Sequence, residues 1–163
     1  MREIIVAYPG TFDPITYGHI EIIERGALIF DEVVVLVAKR EEKHTLFSLE
    51  ERFSMVKKAV EHLKNVKVSM LDKLLVDYLE EHNIKIILRG LRSEKDFEYE
   101  REMFEANCAL VRTIETVFLI SKSKYAFLSS TLIKEIALNG GDISQFVPEV
   151  VIEYMDKKIR RGT

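Results

Sequence analysis

The 163-residue sequence has no tryptophan and one cysteine, Cys108. A lone cysteine excludes an internal disulfide framework and a cysteine-rich zinc site. Seven glycines and three prolines are too few for a collagen-like or low-complexity chain. The longest strongly apolar run, Val33–Ala38, is far shorter than the roughly 20 residues that span a bilayer. The opening MREIIVAYPG lacks the apolar stretch of a secretory signal. The expectation is a cytoplasmic protein without a membrane partner. Positive charge is not in excess either, with 24 Lys+Arg against 27 Asp+Glu and a net charge of −3. A general nucleic-acid binder carries a broad basic surface. No nucleic-acid partner is therefore expected, whereas a small anion held by a few local charges is compatible.

What is present is a chain 47% hydrophobic and 31% charged, long enough for one domain over 1–163. Short β-rich runs alternate with longer helical stretches. Strands are expected at 4–8 (stopped by Pro9-Gly10), 33–38, 66–68, 84–88 and 115–120. Helices are expected at about 17–30, 49–62, 72–82, 95–110, 130–139 and 148–160. Ser48-Leu49-Glu50-Glu51 reads as a capping box. Val33–Ala38 is apolar on both faces, as in a parallel strand covered by helices on both sides. The alternation predicts an α/β fold, a doubly wound Rossmann-like sandwich with a five-stranded parallel sheet. In such sheets function lies beyond the carboxyl ends of the strands, near the point where strand order reverses.

Several familiar site motifs are missing from those loops. There is no GxGxxG, no GxxxxGK[ST], no GxSxG and no HExxH. Three other constellations stand there instead. Tyr8–His19 carries two prolines and two glycines and leads into a helix whose first turn holds Gly18 and His19. Free N–H groups and the helix dipole favour a phosphate at such a start. The plain alternative is an ordinary turn capped by Thr16, with a surface histidine. Arg89-Gly90-Leu91-Arg92 places two arginine forks after an apolar strand, a geometry suited to phosphate oxygens. Ser129-Ser130-Thr131 sets three hydroxyls at a helix start, where one suffices as a cap. Lys39, Arg40 and Lys43, interleaved with Glu41 and Glu42, read as a solvated loop. His44, His62 and His82 lack metal-ligand spacing and read as surface residues, and Cys108 reads as a packed thiol. Phe97, Tyr99, Met103 and Phe104 recur at near-helical spacing and read as core.

Gly10–His19 resembles the first motif of the nucleotidylyltransferase superfamily, and Leu128–Lys134 resembles its second. Between them, Ile87–Arg92 and Asp96-Phe97-Glu98-Tyr99-Glu100 are similar to the bacterial phosphopantetheine adenylyltransferases, nearly end to end and in the same order. That resemblance implies transfer of the adenylyl group of ATP to 4′-phosphopantetheine, with Mg²⁺ bound mainly through the ATP phosphates and no metal ligand from the protein. It implies His19, Thr11 and Lys43 as catalytic residues. For ATP it implies Thr11, Phe12, His19, Gly90, Leu91, Arg92 and Glu100, with Tyr125, Ala126, Phe127, Leu128, Ser129, Ser130 and Thr131. For the acceptor it implies Thr11, Lys43, Leu75, Arg89 and Asn107. It further implies a homohexamer and coenzyme A as a feedback ligand. Lys134 stands where the superfamily often has arginine, which keeps the charge and loses the fork. The competing readings are a cytidylyltransferase or a nicotinate-mononucleotide enzyme on the same fold, and a non-catalytic ATP-binding regulatory module.

Overall fold

The computed structural model describes residues 3–40 and 45–162, with side chains through Arg160. The elements run β1 (Ile5–Gly10), α1 (Tyr17–Ile29), β2 (Glu32–Ala38), α2 (Leu49–Ala59), β3 (Val66–Leu71) and α3 (Leu75–Glu81). They continue with β4 (Ile86–Leu91), α4 (Glu94–Leu110), β5 (Glu115–Ile120), α5 (Ser130–Leu138) and α6 (Glu149–Gly162). The five strands form one parallel sheet in the order β3-β2-β1-β4-β5. Strand order reverses between β1 and β4, which makes their carboxyl ends the switch point.

Period-two alternation splits the core between the two faces of the sheet. Val33, Val35 and Val37 of β2 join Val6, Tyr8 and Leu88 on one face, against Ile22, Ile23, Met55, Ile133 and Val151 from α1, α2, α5 and α6. Val34 and Leu36 join Ala7 and Ile87 on the other, against Val76 and Leu79 of α3.

The path of β1 departs from the sequence expectation in a way that shapes the site. Pro9-Gly10 does not stop the strand, which stays in register with β2 through Gly10↔Val37. Registered pairing with β4 ends earlier, at Ala7↔Ile87. Proline has no N–H for a ladder bond and is tolerated where pairing has ceased. The free Pro9 carbonyl accepts from Nη1 of Arg89 instead. β1 and β4 are thus joined at their carboxyl ends by a side chain rather than by backbone.

Other boundaries move as well. β3 extends to Leu71 because it pairs with β2 along its whole length. α3 starts only at Leu75, and α2 ends at Ala59. Arg89 and Gly90 belong to β4 rather than to the loop after it. The apolar side chains of α4 are not core. Glu100 is the buried residue of that helix, while Phe97, Tyr99 and Met103 are exposed.

Candidate active site

Two clefts open at the switch point. The first, of about 360 Å³, lies between the carboxyl ends of β1 and β4 and the starts of α1 and α5. The second, of about 350 Å³, lies over the ends of β1, β2 and β3 beside α3 and α4. Pro9, Gly10, Thr11, Arg89, Tyr99 and Glu100 line both, so the clefts share a partition.

His19 stands in the first cleft with its tautomer set by local structure. Thr16 caps α1, accepting from the His19 N–H at Oγ1 over 3.4 Å. In return the Thr16 N–H donates to Nδ1 of His19 over 3.0 Å. This is a capping box with histidine in place of the usual glutamate. Because Nδ1 accepts, the proton of the neutral ring sits on Nε2. Burial first, and then the charges of Arg92 and Arg89, push the His19 pKa from 6.5 down to about 4. At neutral pH the ring is an uncharged Nε2–H donor. Phe12 holds it edge-on, with centroids 5.1 Å apart. Tyr8 also lines the cleft, and burial, opposed by the arginine charges, pushes its phenol up to about 12, so it keeps its proton.

The arginines are braced before any ligand arrives. Arg89 donates from Nε to Glu100 over 2.8 Å and also from Nη2 to the same carboxylate. Burial alone would lower the Arg89 pKa, but the Glu100 hydrogen bond and charge outweigh it and hold the pKa above its ordinary value. Arg92 donates from Nη1 to the Leu128 carbonyl over 2.6 Å and from Nε to Asp96 over 3.1 Å. It thereby ties β4 to the loop before α5.

The hydroxyls of the α5 start are less free than the sequence suggested. Ser129 Oγ accepts from the Leu132 N–H over 3.1 Å as the cap, and Ser130 Oγ donates to the Pro14 carbonyl over 2.8 Å. Thr131 is exposed on the cleft lining. Lys134 does not face the cleft lining. It pairs with the buried Asp13 over 2.7 Å.

Of the residues expected at ATP, Thr11, Phe12, His19, Gly90, Arg92, Glu100 and Leu128–Thr131 line the first cleft. Leu91, Tyr125, Ala126 and Phe127 lie outside that lining. Of those expected at the acceptor, Thr11, Leu75, Arg89 and Asn107 line the second cleft. Lys43, like His44, lies outside the described residues.

The second cleft has an apolar wall of Leu71, Leu74, Leu75, Met103 and Phe104, with Lys39, Arg40 and Lys73 also on its lining. Lys39 and Arg40 are exposed, as expected of a solvated loop, and they line this cleft as well. Tyr99, Met103 and Phe104, expected in the core, line the cleft instead. The signal that could have corrected this is the row Asp96, Tyr99, Glu100, Met103, Phe104 and Asn107, which forms one helical face that mixes acid, amide and apolar groups. Cys108 is half-buried and donates to the Ile114 carbonyl. His62 pairs with Glu24 on the surface, and His82 stacks on Tyr78.

An α/β sheet with a phosphate-suited cleft at its switch point, a neutral histidine donor and braced arginines defines a nucleotidyltransferase class, and the cytidylyltransferase-like family model matches residues 7–136. A solved nicotinate-nucleotide adenylyltransferase candidate from Vibrio parahaemolyticus shares the fold, with a TM-score of 0.74 at 20% identity over 99% of this chain and 98% of that one. A phosphopantetheine adenylyltransferase of Dictyoglomus turgidum is 51% identical over 96% of this chain and 98% of its own length. Those of Bdellovibrio bacteriovorus and Thermotoga neapolitana are each 45% identical, over 96% and 98% of this chain and 98% and 99% of theirs. The chain belongs to the phosphopantetheine adenylyltransferase family.

Proposed function

We propose that the chain, as a member of that family, transfers the adenylyl group of ATP to 4′-phosphopantetheine, giving 3′-dephospho-coenzyme A and pyrophosphate. The observation that carries this reading is the pair of clefts meeting at Thr11 and Arg89. One is polar and rich in N–H and hydroxyl groups, which suits a nucleoside triphosphate. The other is apolar-walled with cationic residues on its lining, which suits an anionic head on a long arm. An oxygen of the acceptor phosphate attacks the α-phosphorus of ATP, a new P–O bond forms, and the bond to the bridging oxygen breaks to release pyrophosphate.

The protein contributes positioning and charge stabilisation rather than a nucleophile. His19 donates from Nε2 to the α-phosphate oxygens as their charge grows. The Thr11 hydroxyl holds the transferring group, and Arg89 with Lys43 holds the acceptor phosphate. Arg92 and the turn at Ser130-Thr131 hold the triphosphate, and Glu100 is placed for the ribose side. Mg²⁺, held mainly by the ATP phosphates, would offset their negative charge. Among the described residues no three metal-ligating side chains converge, and the cleft acids Asp96 and Glu100 are both paired with arginine.

Coenzyme A shares the arm of the acceptor and would compete for the second cleft. The homohexamer is carried over from the family resemblance; Leu110 of α4 and Ile120 of β5 are exposed apolar side chains that another copy would cover. No helix among the described residues is long and apolar enough to cross a membrane. The proposed reaction, on two small metabolites, is one of the cytoplasm.

The test is pyrophosphate release. It is expected to require both ATP and 4′-phosphopantetheine. Release with CTP, or with nicotinate mononucleotide as acceptor, would favour a sister enzyme. ATP binding without any release would make the chain a regulatory module.

A further inference from the structure

Arg52 is 1% exposed, among the most buried side chains of the protein, and lines neither cleft. Its guanidinium donates from Nη1 to the Thr11 carbonyl over 2.6 Å and to the Ala38 carbonyl over 2.8 Å. From Nε it donates to the Phe47 carbonyl over 3.2 Å. One side chain of α2 thus grips the loop after β1, the end of β2 and the lead into its own helix.

Phe47 is held at its N–H as well as at its carbonyl. Its N–H donates to the buried carboxylate of Asp13 over 2.9 Å, and the Leu46 N–H donates to the same carboxylate over 2.9 Å. Asp13 is two residues from Thr11, so anion and cation hold Phe47 at its N–H and its carbonyl, and the same two side chains tie that residue to the Thr11 loop. Beyond the Thr11 carbonyl, the Thr11 side chain stands on the partition of the two clefts, and Lys39 and Arg40 follow Ala38 on the lining of the second.

We propose that Arg52 is a positioning residue for adenylyl transfer, acting through Thr11: its clamp fixes the partition at which donor and acceptor phosphates meet. The inference rests on the adenylyl-transfer reading above. Lysine in its place keeps the charge but has no planar fork to reach three carbonyls at once. A small displacement of the Thr11 loop misaligns the two phosphates without removing the groups that bind ATP. Misplacement on the order of 1 Å costs about 100-fold in rate.

The experiment compares the parent with Arg52→Lys, measuring kcat, KM for each substrate and folding by circular dichroism. The expected result is a folded variant with kcat lowered by about 10- to 100-fold and KM for ATP changed by less than about 3-fold. Asp13→Asn, which weakens the opposite grip and also the Lys134 pair at unchanged size, is expected to show the same split and serves where Arg52→Lys does not fold. A folded Arg52→Lys with the parent's kcat, or loss of folding in both variants, assigns the clamp to stability alone and overturns the proposal. A parent without acceptor-dependent pyrophosphate release overturns the reading beneath it instead.

Discussion

At the residue scale the account turns on the protonation of His19. A histidine in the unfolded chain takes up a proton as pH falls through about 6.5, whereas the folded site waits until about 4. Between those values the unfolded chain binds more protons, so folded-state stability is lost as pH falls across that window and levels off below it. Above the window the group contributes no pH dependence. An NMR titration of the free protein is expected to place the His19 ring midpoint near 4, and a midpoint near 6.5 would remove the buried, arginine-flanked donor. His19→Ala is expected to lower kcat by about 100- to 1000-fold, as for loss of one oxyanion donor, with ATP affinity little changed. Equal losses in both would make His19 a ground-state ligand. The sequence marked His19 through the helix start behind it. It did not disclose the reciprocal bond from the Thr16 N–H to Nδ1, because a histidine replacing glutamate in a capping box has no periodic signature. Arg52 escaped for a related reason. An arginine in a charged helix reads as solvated, and only the fold brings three carbonyls from distant segments around it.

At the scale of elements, β2 and β5 were legible because their residue types and length leave few alternatives. β1 was misread at Pro9. Proline ends an ordinary strand, and the early end of pairing with β4 that tolerates it depends on tertiary structure. α4 was found but its face was misassigned. Apolar spacing is the same whether a core, a ligand or another chain covers it. On this helix Tyr99, Met103 and Phe104 belong to the second cleft, while Leu110 is 61% exposed and Ile120 of the edge strand β5 is 75% exposed. An edge strand with large apolar side chains invites covering by another copy. Sedimentation equilibrium is expected to give the mass of six chains, lowered when Leu110 and Ile120 are both changed to glutamate. A parent that sediments as one chain at micromolar concentration would leave that face without a partner of its own kind.

For the whole molecule, charge places the site. The last seven residues carry four positive charges and no acid, so the rest of the chain is more acidic than the net value of −3 suggests. Against that body, Arg89 and Arg92 stand at the end of β4, and Lys39 and Arg40 at the end of β2, all on the edge of the sheet where the clefts open. Arg89 and Arg92 are offset by Glu100 and Asp96, so Lys39 and Arg40 are the cations there that add attraction for a phosphorylated metabolite, far short of a polyanion-binding surface. Thr11 and Arg89 line both clefts. In the proposed transfer the two substrates meet there and make the bond themselves, so no nucleophile motif is required. That central claim is tested most directly by stereochemistry at the α-phosphorus. With ATP made chiral there by a single sulfur substitution and 4′-phosphopantetheine as acceptor, one in-line displacement predicts inversion of configuration in the dephospho-coenzyme A product. Retention would mean two displacements and an adenylylated side chain, and would contradict the account.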